Sequence, residues 1–258
     1  CSSSLVNIIL SEDIKIFRRA TLAAVVTSTY PMIVVGCYFG VTPWVFNKLS
    51  IDESDFSFAI LLFGVFFIIS NQIAGRILVP KYGTKLIMSL AFPLVTLSTF
   101  LAIISSSYFY FLLTFIPAGI GWGASGPIGG IHSQLIEKHF KKIITPYYAM
   151  GFNLGILIGG TLAGIIMRNN YEPYLFFGIL FLLSIFVSFF VYSFGLPRNL
   201  DFKGAGEKFK IPETNVLLFG FLLFFVFGSG GIIMDWSTLW LSKDLNAPLY
   251  LASMGLIF

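Results

Sequence analysis

Charged residues along this chain are gathered into short intervals that separate long apolar stretches. Residues 20–47, 56–75, 143–167, 173–197 and 214–234 carry no Asp, Glu, Lys or Arg, and residues 86–136 form one charge-free run. A membrane helix needs about 20 apolar residues, so that last run holds two crossings, with Ser105, Ser106 and Ser107 as the natural break. The pattern predicts seven helices over about 20–46, 56–79, 86–104, 108–135, 145–167, 173–195 and 214–241, and an eighth from about 248. Stretches such as 59–69 and 174–190 are apolar on every side. That excludes the alternating strands of a membrane barrel and fits helices with lipid on one face and protein on the other.

Lys and Arg set the orientation of such a bundle. The N-terminal tail, loops 2–3 and 4–5 and the linker after helix 6 hold 13 of the 16 basic residues, while the opposite side holds Lys48, Arg168 and Lys243. The N-terminus is therefore expected in the cytoplasm, in a bacterial inner membrane. The expected organisation is a cytoplasmic tail (1–19), a six-helix bundle (20–196), a solvated cytoplasmic linker (197–213) rich in charge, Gly and Pro, and the opening of a second bundle (214–258). The chain starts with Cys1 rather than Met and stops inside the expected eighth helix. A mature lipoprotein also starts with Cys, but that would place the N-terminus outside, against the charge count. A longer reading frame is the expectation.

Composition sharpens this. The chain is 57% hydrophobic and 11% charged, with a mean hydropathy of +0.89, whereas soluble domains are about 45–50% apolar and about 25% charged. A soluble enzyme, a disordered chain and a nucleic-acid binder are excluded, and the pI near 9.0 follows from the loop charges. Two cysteines exclude a disulfide framework, and Cys37 reads as a small buried hydrophobe. There is no His-Glu-x-x-His metal motif and no pair of membrane aspartates. Helix 7 has no mid-span Lys to hold a retinal. The expectation is a non-enzymatic protein without cofactor or metal, whose partners are the lipid bilayer, a small-molecule substrate and protons.

Sliding the chain against itself by 192 residues lays helix 1 on helix 7: Val34 on Val226, Gly36 on Gly228, Trp44 on Trp236, Leu49-Ser50 on Leu241-Ser242 and Asp52 on Asp244. Both helices start on the same side, so the repeat is parallel, as in transporters built from two six-helix halves. Helix 1 is interrupted by Pro31, Gly36, Gly40 and Pro43, and helix 4 by a run of Gly and Pro from Pro117 to Gly130. Such interruptions point to a binding site, and equally to close helix packing.

These features resemble the major facilitator superfamily, in its YbjJ-like, sugar-permease-related branch. The family's loop 2–3 reads Gly-x-x-x-Asp-Arg-x-Gly-Arg-Arg. Here Lys81, Gly83 and Lys85 match, Pro80 stands in the Asp position and Thr84 in a basic one. The resemblance implies that Lys81, Gly83 and Lys85 belong to a cytoplasmic gate loop, with its charge relay in doubt without the carboxylate. Gly151, Gly155, Gly159 and Gly160 in helix 5 are similar to a family antiporter pattern except that Ile156 replaces its proline. They do not by themselves indicate antiport, and glycines four apart form a flat packing strip. Trp44, Gln134, Glu137 and the triplet Asp235-Trp236-Ser237 carry the likeness to the branch. The implied fold is an all-α, major-facilitator-type helical bundle: a six-helix N-terminal half plus helix 7 and the start of helix 8. The implied function is secondary active transport by alternating access. The alternatives are a seven-helix receptor or pump-like protein and a non-transporting subunit of a membrane assembly.

Asp235 is the only acidic residue within an expected span, where a charge costs about 2.5–3.5 kcal/mol at mid-helix. It lies about 9 Å from the end of helix 7. It reads either as a proton-coupling or substrate carboxylate or as an interfacial structural contact. Thr27, Tyr30, Val34 and Tyr38 form one stripe on helix 1, Trp122 and Ser125 lie near the middle of helix 4, and Asn153 lies in helix 5. The family resemblance implies that helices 1, 4 and 7 line the cavity, and an aromatic and hydroxyl lining suits a neutral sugar-like or partly apolar metabolite. His132 and His139 share the end of helix 4. His132 reads as a proton shuttle or as a helix-end contact, His139 as a loop residue.

Overall fold

The computed structural model describes residues 2–202, 213–253 and 255, with side chains from residue 12 on except that of Phe227. Its helices, in chain order, are α1 (Ser2–Leu49), α2 (Glu53–Ile73, continued by a π turn over Ala74–Leu78 and a last α turn over Val79–Tyr82), α3 (Thr84–Ile104), α4 (Tyr108–Phe140), α5 (Thr145–Arg168), α6 (Pro173–Phe194), α7 (Thr214–Lys243) and α8 (Leu249–Ala252). Helices α1–α7 are each long and apolar enough to cross a membrane, with mean hydropathies between 1.3 and 2.6 over their most apolar stretches. No strand occurs among the described residues. The architecture is an all-α bundle of six helices followed by α7 and the start of α8.

Helix 1 differs most from its expected bounds. It continues back through the stretch expected as a tail, because residues 2–19 contain neither Gly nor Pro to stop it. Cys1 and most of the expected linker, including Lys203, Gly204, Gly206, Lys208, Lys210 and Pro212, lie outside the described residues, as does the stretch 256–258 of the expected eighth helix.

Local chemistry sets the breaks. Asp52 and Asp55 form a reciprocal capping box at the start of α2: the Asp55 N–H donates to Asp52 Oδ1 (2.8 Å) and the Asp52 N–H to Asp55 Oδ2 (3.3 Å). The serine triplet does divide the long charge-free run, and Ser107 caps α4. Glu137 reaches back over the next turn, where its Oε1 accepts the backbone N–H groups of Ile144 and Thr145 (2.7 Å each) and the Thr145 hydroxyl (2.8 Å). This carboxylate satisfies donors at the start of α5, where the helix dipole also favours negative charge. The π turn in α2 ends beside Pro80, with the Val79 N–H bonding Ala74 O five residues back. Pro80 has no N–H to give the turn before it.

Packing follows the small residues. The most extensive helix pair is α1 with α5. Gly151, Gly155 and Gly159 lie four apart and face α1 at Ser28 and Thr29, at Met32, and at Gly36 and Cys37. A Cβ on Gly159 would stand 2.8 Å from Cys37 N and 2.9 Å from Gly36 Cα, so backbones touch here. Gly160 joins the same contact, 3.0 Å from where a Gly36 Cβ would stand. Gly119 and Gly123 of α4 bring that helix equally close to α2 at Phe63 and Phe67, and Gly121 brings it to Val95 of α3.

Three apolar clusters fill the bundle. The largest joins Val41, Val45 and Phe46 of α1 to Phe56, Phe111 and Phe177, near the end where the α1–α2 turn lies. Two smaller ones, around Met88, Phe92 and Ile128 and around Ala20, Ala24 and Ile136, lie toward the lysine- and arginine-rich end. At the opposite end, Lys48 Nζ donates to the Ile103 carbonyl (2.7 Å) beneath the rings of Trp44 and Tyr174. Helix α7 is held by the Thr238 hydroxyl on the Phe39 carbonyl (2.9 Å) and by a Lys243–Glu53 ion pair (2.6 Å). Its stretch 216–226 is exposed.

Because the α1–α5 contact has no room for a side chain, Gly159→Leu should lower the melting temperature of the protein in detergent by an amount equivalent to about 1–3 kcal/mol or more. Gly64→Ala, where a Cβ meets nothing within 4 Å, should leave it unchanged. Equal melting of both variants would contradict the packing described.

Candidate functional site

A cavity of about 610 Å³ opens inside the bundle, with α7 as one of its walls. Each wall is a helical stripe. Met32, Val35 and Phe39 recur at three- and four-residue steps on α1, as do Ile60, Phe63 and Phe67 on α2. Phe115, Ala118 and Trp122 do the same on α4, and Val226, Gly230 and Met234 on α7. Asp235 stands next to that last stripe and, among the described residues, is the only acidic or basic side chain on the wall. Gly230 and Gly231 meet nothing where a Cβ would stand, so α7 presents bare backbone to the space.

The hydroxyls on the wall are engaged with their own helices. Ser98 Oγ donates to Val95 O (2.7 Å), Thr99 Oγ1 to Thr96 O (2.9 Å) and Thr114 Oγ1 to Phe111 O (2.6 Å). The polar groups left to face the interior are the Tyr38 hydroxyl, the Trp122 indole N–H and the Asp235 carboxylate. Edge-to-face packing fixes the Tyr38 ring, with centroids 5.6 Å from Phe39 and 6.5 Å from Phe115. The edge-to-face contacts continue from Phe115 to Phe56 (6.2 Å) and on to Trp236 (5.8 Å), the neighbour of Asp235.

Tyr38, Trp122 and Asp235 are thus brought together from α1, α4 and α7. The other residues of the expected lining go elsewhere. Tyr30 is buried and its hydroxyl donates to the Leu180 carbonyl of α6. Thr27 is buried and bonds Ala23 O (2.7 Å). Val34 lies in the largest apolar cluster. Ser125 is buried with its hydroxyl on Trp122 O, and Asn153 is exposed with its amide on Ala149 O (3.1 Å). The face of α1 that meets the cavity is turned one residue from the expected stripe, to Met32, Val35 and Phe39. The phenylalanines of α2 and the α3 segment around Ser98 were not singled out in the sequence. Their three- and four-residue spacing was visible, but nothing distinguished it from a lipid-facing stripe.

A second polar constellation sits at the basic end, over the turn between α2 and α3. Gly83 makes that turn with φ +88°. Asp201 is buried there, and its carboxylate accepts the Thr84 N–H (2.8 Å), the Thr84 hydroxyl (2.7 Å) and its neighbour's Phe202 N–H (2.7 Å). Thr84 is the first residue of α3, so Asp201 caps that helix from the far side of α6. His132 Nδ1 lies 2.7 Å from Thr84 Oγ1, and the Leu196 N–H points to His132 Nε2 (3.4 Å). With the threonine proton directed to Asp201, Nδ1–H is the donor to Oγ1 and Nε2 the acceptor. Arg198 serves the other half of the turn: its Nη2 donates to Pro80 O (3.0 Å) and Lys81 O (3.1 Å), the carbonyls that end α2. Lys81 and Lys85 lie over the rings of Tyr82 and Tyr192 (5.0 and 4.9 Å). His139 packs edge-on against Phe140.

The family model described as Major Facilitator Superfamily matches residues 23–258. The chain belongs to that superfamily. It is also similar to an uncharacterized MFS-type transporter of Yersinia pestis, 19% identical over 218 residues, which are 83% of this chain and 55% of the relative. The chain thus spans about half the length of that relative. With seven membrane-length helices, this major facilitator protein is an integral membrane protein. Its 2–3 loop, where the resemblance leads one to expect a carboxylate at Pro80, receives one from Asp201. The linker residues were read in the sequence only as solvated connection. The signal that could have found them is the Arg198 and Asp201 pair following Pro197 directly after helix 6.

A Cβ on Gly83 would meet Asp201 Oδ2 at 2.5 Å in a backbone conformation that L side chains rarely adopt. Gly83→Ala should therefore lower stability by about 1–3 kcal/mol, and Asp201→Ala by about the same through three unmet donors. Thermal unfolding in detergent measures both. Unchanged melting of Asp201→Ala would show that the cap carries no stability.

Proposed function

We propose that the protein is a secondary active transporter that moves a small solute by alternating access, with the cavity against α7 as the solute site and Asp235 as its proton-coupling carboxylate. The observation that carries this reading is the placement of Asp235 on the wall of a 610 Å³ cavity. Volumes of about 300–1,000 Å³ are those of small-molecule sites. The cavity lies where the six-helix body meets α7, which in the parallel-repeat reading is the first helix of a second bundle. On that reading residues 20–196 form one moving half, the stretch 197–213 is the linker between halves, and the second half begins at 214. A carboxylate in membrane surroundings is retained at a cost of about 2.5–3.5 kcal/mol on insertion scales, and proton exchange during the cycle gives it a use. Asp235 has no ion-pair partner among the described residues. It is therefore free to take up a proton or a charged solute.

In the same reading the protein is not an enzyme, and the basic end with the N-terminus lies in the cytoplasm of a bacterial inner membrane. The turn at Gly83, with Lys81 and Lys85, is the gate loop, and the clip made by Arg198 and Asp201 holds the start of the linker against it. The α1–α5 glycine contact then moves as one unit, because touching backbones leave no sliding layer of side chains.

Reconstitution in vesicles tests the coupling role. With an imposed proton gradient the parent protein should accumulate its solute, while Asp235→Asn should abolish accumulation and retain exchange of labelled for unlabelled solute. Loss of both activities in a variant that inserts and melts like the parent would refute proton coupling at Asp235. Accumulation by the variant would refute it as well.

A further inference from the structure

We infer that the cavity takes a lipophilic monocation, an amine or onium whose charge sits between the Asp235 carboxylate and the faces of Tyr38 and Trp122. The inference rests on the reading of this cavity as the solute site and names the class of solute. It departs from the sugar-like or partly apolar neutral solute that the sequence favoured, because of what the wall offers.

The first consideration is hydrogen bonding. A sugar carries several hydroxyls, and each must find a partner when it leaves water. The three wall hydroxyls of Ser98, Thr99 and Thr114 already donate to backbone carbonyls. The donors that remain among the described residues are one phenol and one indole N–H, with one carboxylate and the same hydroxyl oxygens as acceptors, among surroundings of Phe, Met, Val and Ile. Two free donors are few for a polyol and are sufficient for a single polar head group.

The second consideration is charge. Among the described residues no Lys, Arg or His lines the cavity, and their one ion pair, Lys243–Glu53, joins the ends of α7 and α2 and leaves Asp235 out. An anionic solute would meet only a like charge. A neutral apolar solute would displace water from Asp235 and leave its ionised form without compensation, so it would enter only with the carboxylate protonated. A cation removes that penalty by pairing with it.

The third consideration is the aromatic wall. Tyr38, Phe39, Phe63, Phe67, Phe115 and Trp122 surround the space on three helices. Aromatic faces attract a cation through the ring quadrupole, most strongly for Trp and when the cation is desolvated. The same rings solvate the apolar body of the ligand. The edge-to-face contacts of Tyr38 with Phe39 and Phe115 hold its ring in place before any ligand arrives, so little ordering is required on binding.

Equilibrium dialysis with the purified protein tests this, using labelled tetraphenylphosphonium as the cation and triphenylphosphine oxide as an uncharged probe of similar shape. The expected result is saturable binding of the cation and far weaker binding of the oxide to the parent protein, a comparison that needs no variant. Asp235→Asn should weaken cation binding about tenfold or more, and Asp235→Glu should restore it to within a few-fold. Equal binding of the two probes would overturn the inference. So would an absence of saturable cation binding, or full cation affinity in an Asn variant that melts like the parent. Transport failure is read separately. If proteoliposomes accumulate a neutral solute such as glucose, the cation class falls and the transporter reading stands. If Asp235-dependent cation binding is found but no solute moves, the transporter reading falls instead.

Discussion

The close approach of α1 to α5 is the contact on which the rest of the bundle depends. Helices in hydrocarbon gain little from hiding apolar surface, since lipid tails are as apolar as Leu; they associate through van der Waals packing where small residues let backbones meet. Gly151, Gly155 and Gly159 supply that approach against Ser28, Met32, Gly36 and Cys37. With α5 occupying one flank of α1, the adjoining face turns Met32, Val35 and Phe39 to the cavity. Gly119, Gly121 and Gly123 repeat the device on α4, which meets α2 and α3 on successive faces. The cavity is the space left between these two tightly joined groups.

What the helices do with their polar atoms follows from the absence of water. Hydroxyls within the spans return a hydrogen bond to a carbonyl three or four residues back, as at Thr27, Ser98, Thr99 and Thr114. They satisfy themselves and leave the cavity apolar. A few side chains instead cross between helices: Tyr30 to Leu180, Ser70 to Ile120 and Thr238 to Phe39. Asp235 does neither and, unlike the Tyr38 hydroxyl and the Trp122 indole that share its cavity, it carries a carboxylate.

Outside the hydrocarbon the turns are held by charge at helix ends. Asp52, Glu137 and Asp201 each place a carboxylate at a helix N-terminus, and Arg198 and Lys48 each place a cation on C-terminal carbonyls. Asp201 and Arg198 act on the two sides of one turn, and they come from a segment more than a hundred residues further on. The start of the segment after α6 is thereby fixed to the loop between α2 and α3. The turn beside Pro80, which has no carboxylate of its own between Arg76 and Lys85, keeps a charged partner by this route.

The chain's helical membrane architecture was legible in its sequence because the constraint is one-dimensional: a crossing needs about 20 residues without charge, and each such run can be counted. The break at Ser105–Ser107, the pairing of Gly with a close contact and the isolation of Asp235 among apolar neighbours were readable for the same reason. The extension of α1 toward residue 2 is not legible from hydrophobicity, because a helix runs on through polar residues until Gly, Pro or a cap stops it. Which face of α1 meets the cavity was decided by tertiary structure, since Tyr30, Val34 and Met32 are all compatible with a lining and only the glycine contact with α5 sets the rotation. The union of Asp201, Thr84 and His132, drawn from three distant segments, was likewise invisible. The sequence by itself determined where the chain crosses the membrane and where its charges lie. Only the folded bundle decided which polar groups are satisfied locally and which remain to meet a ligand, because that depends on helix rotation, and helix rotation is set by contacts between segments far apart in the chain.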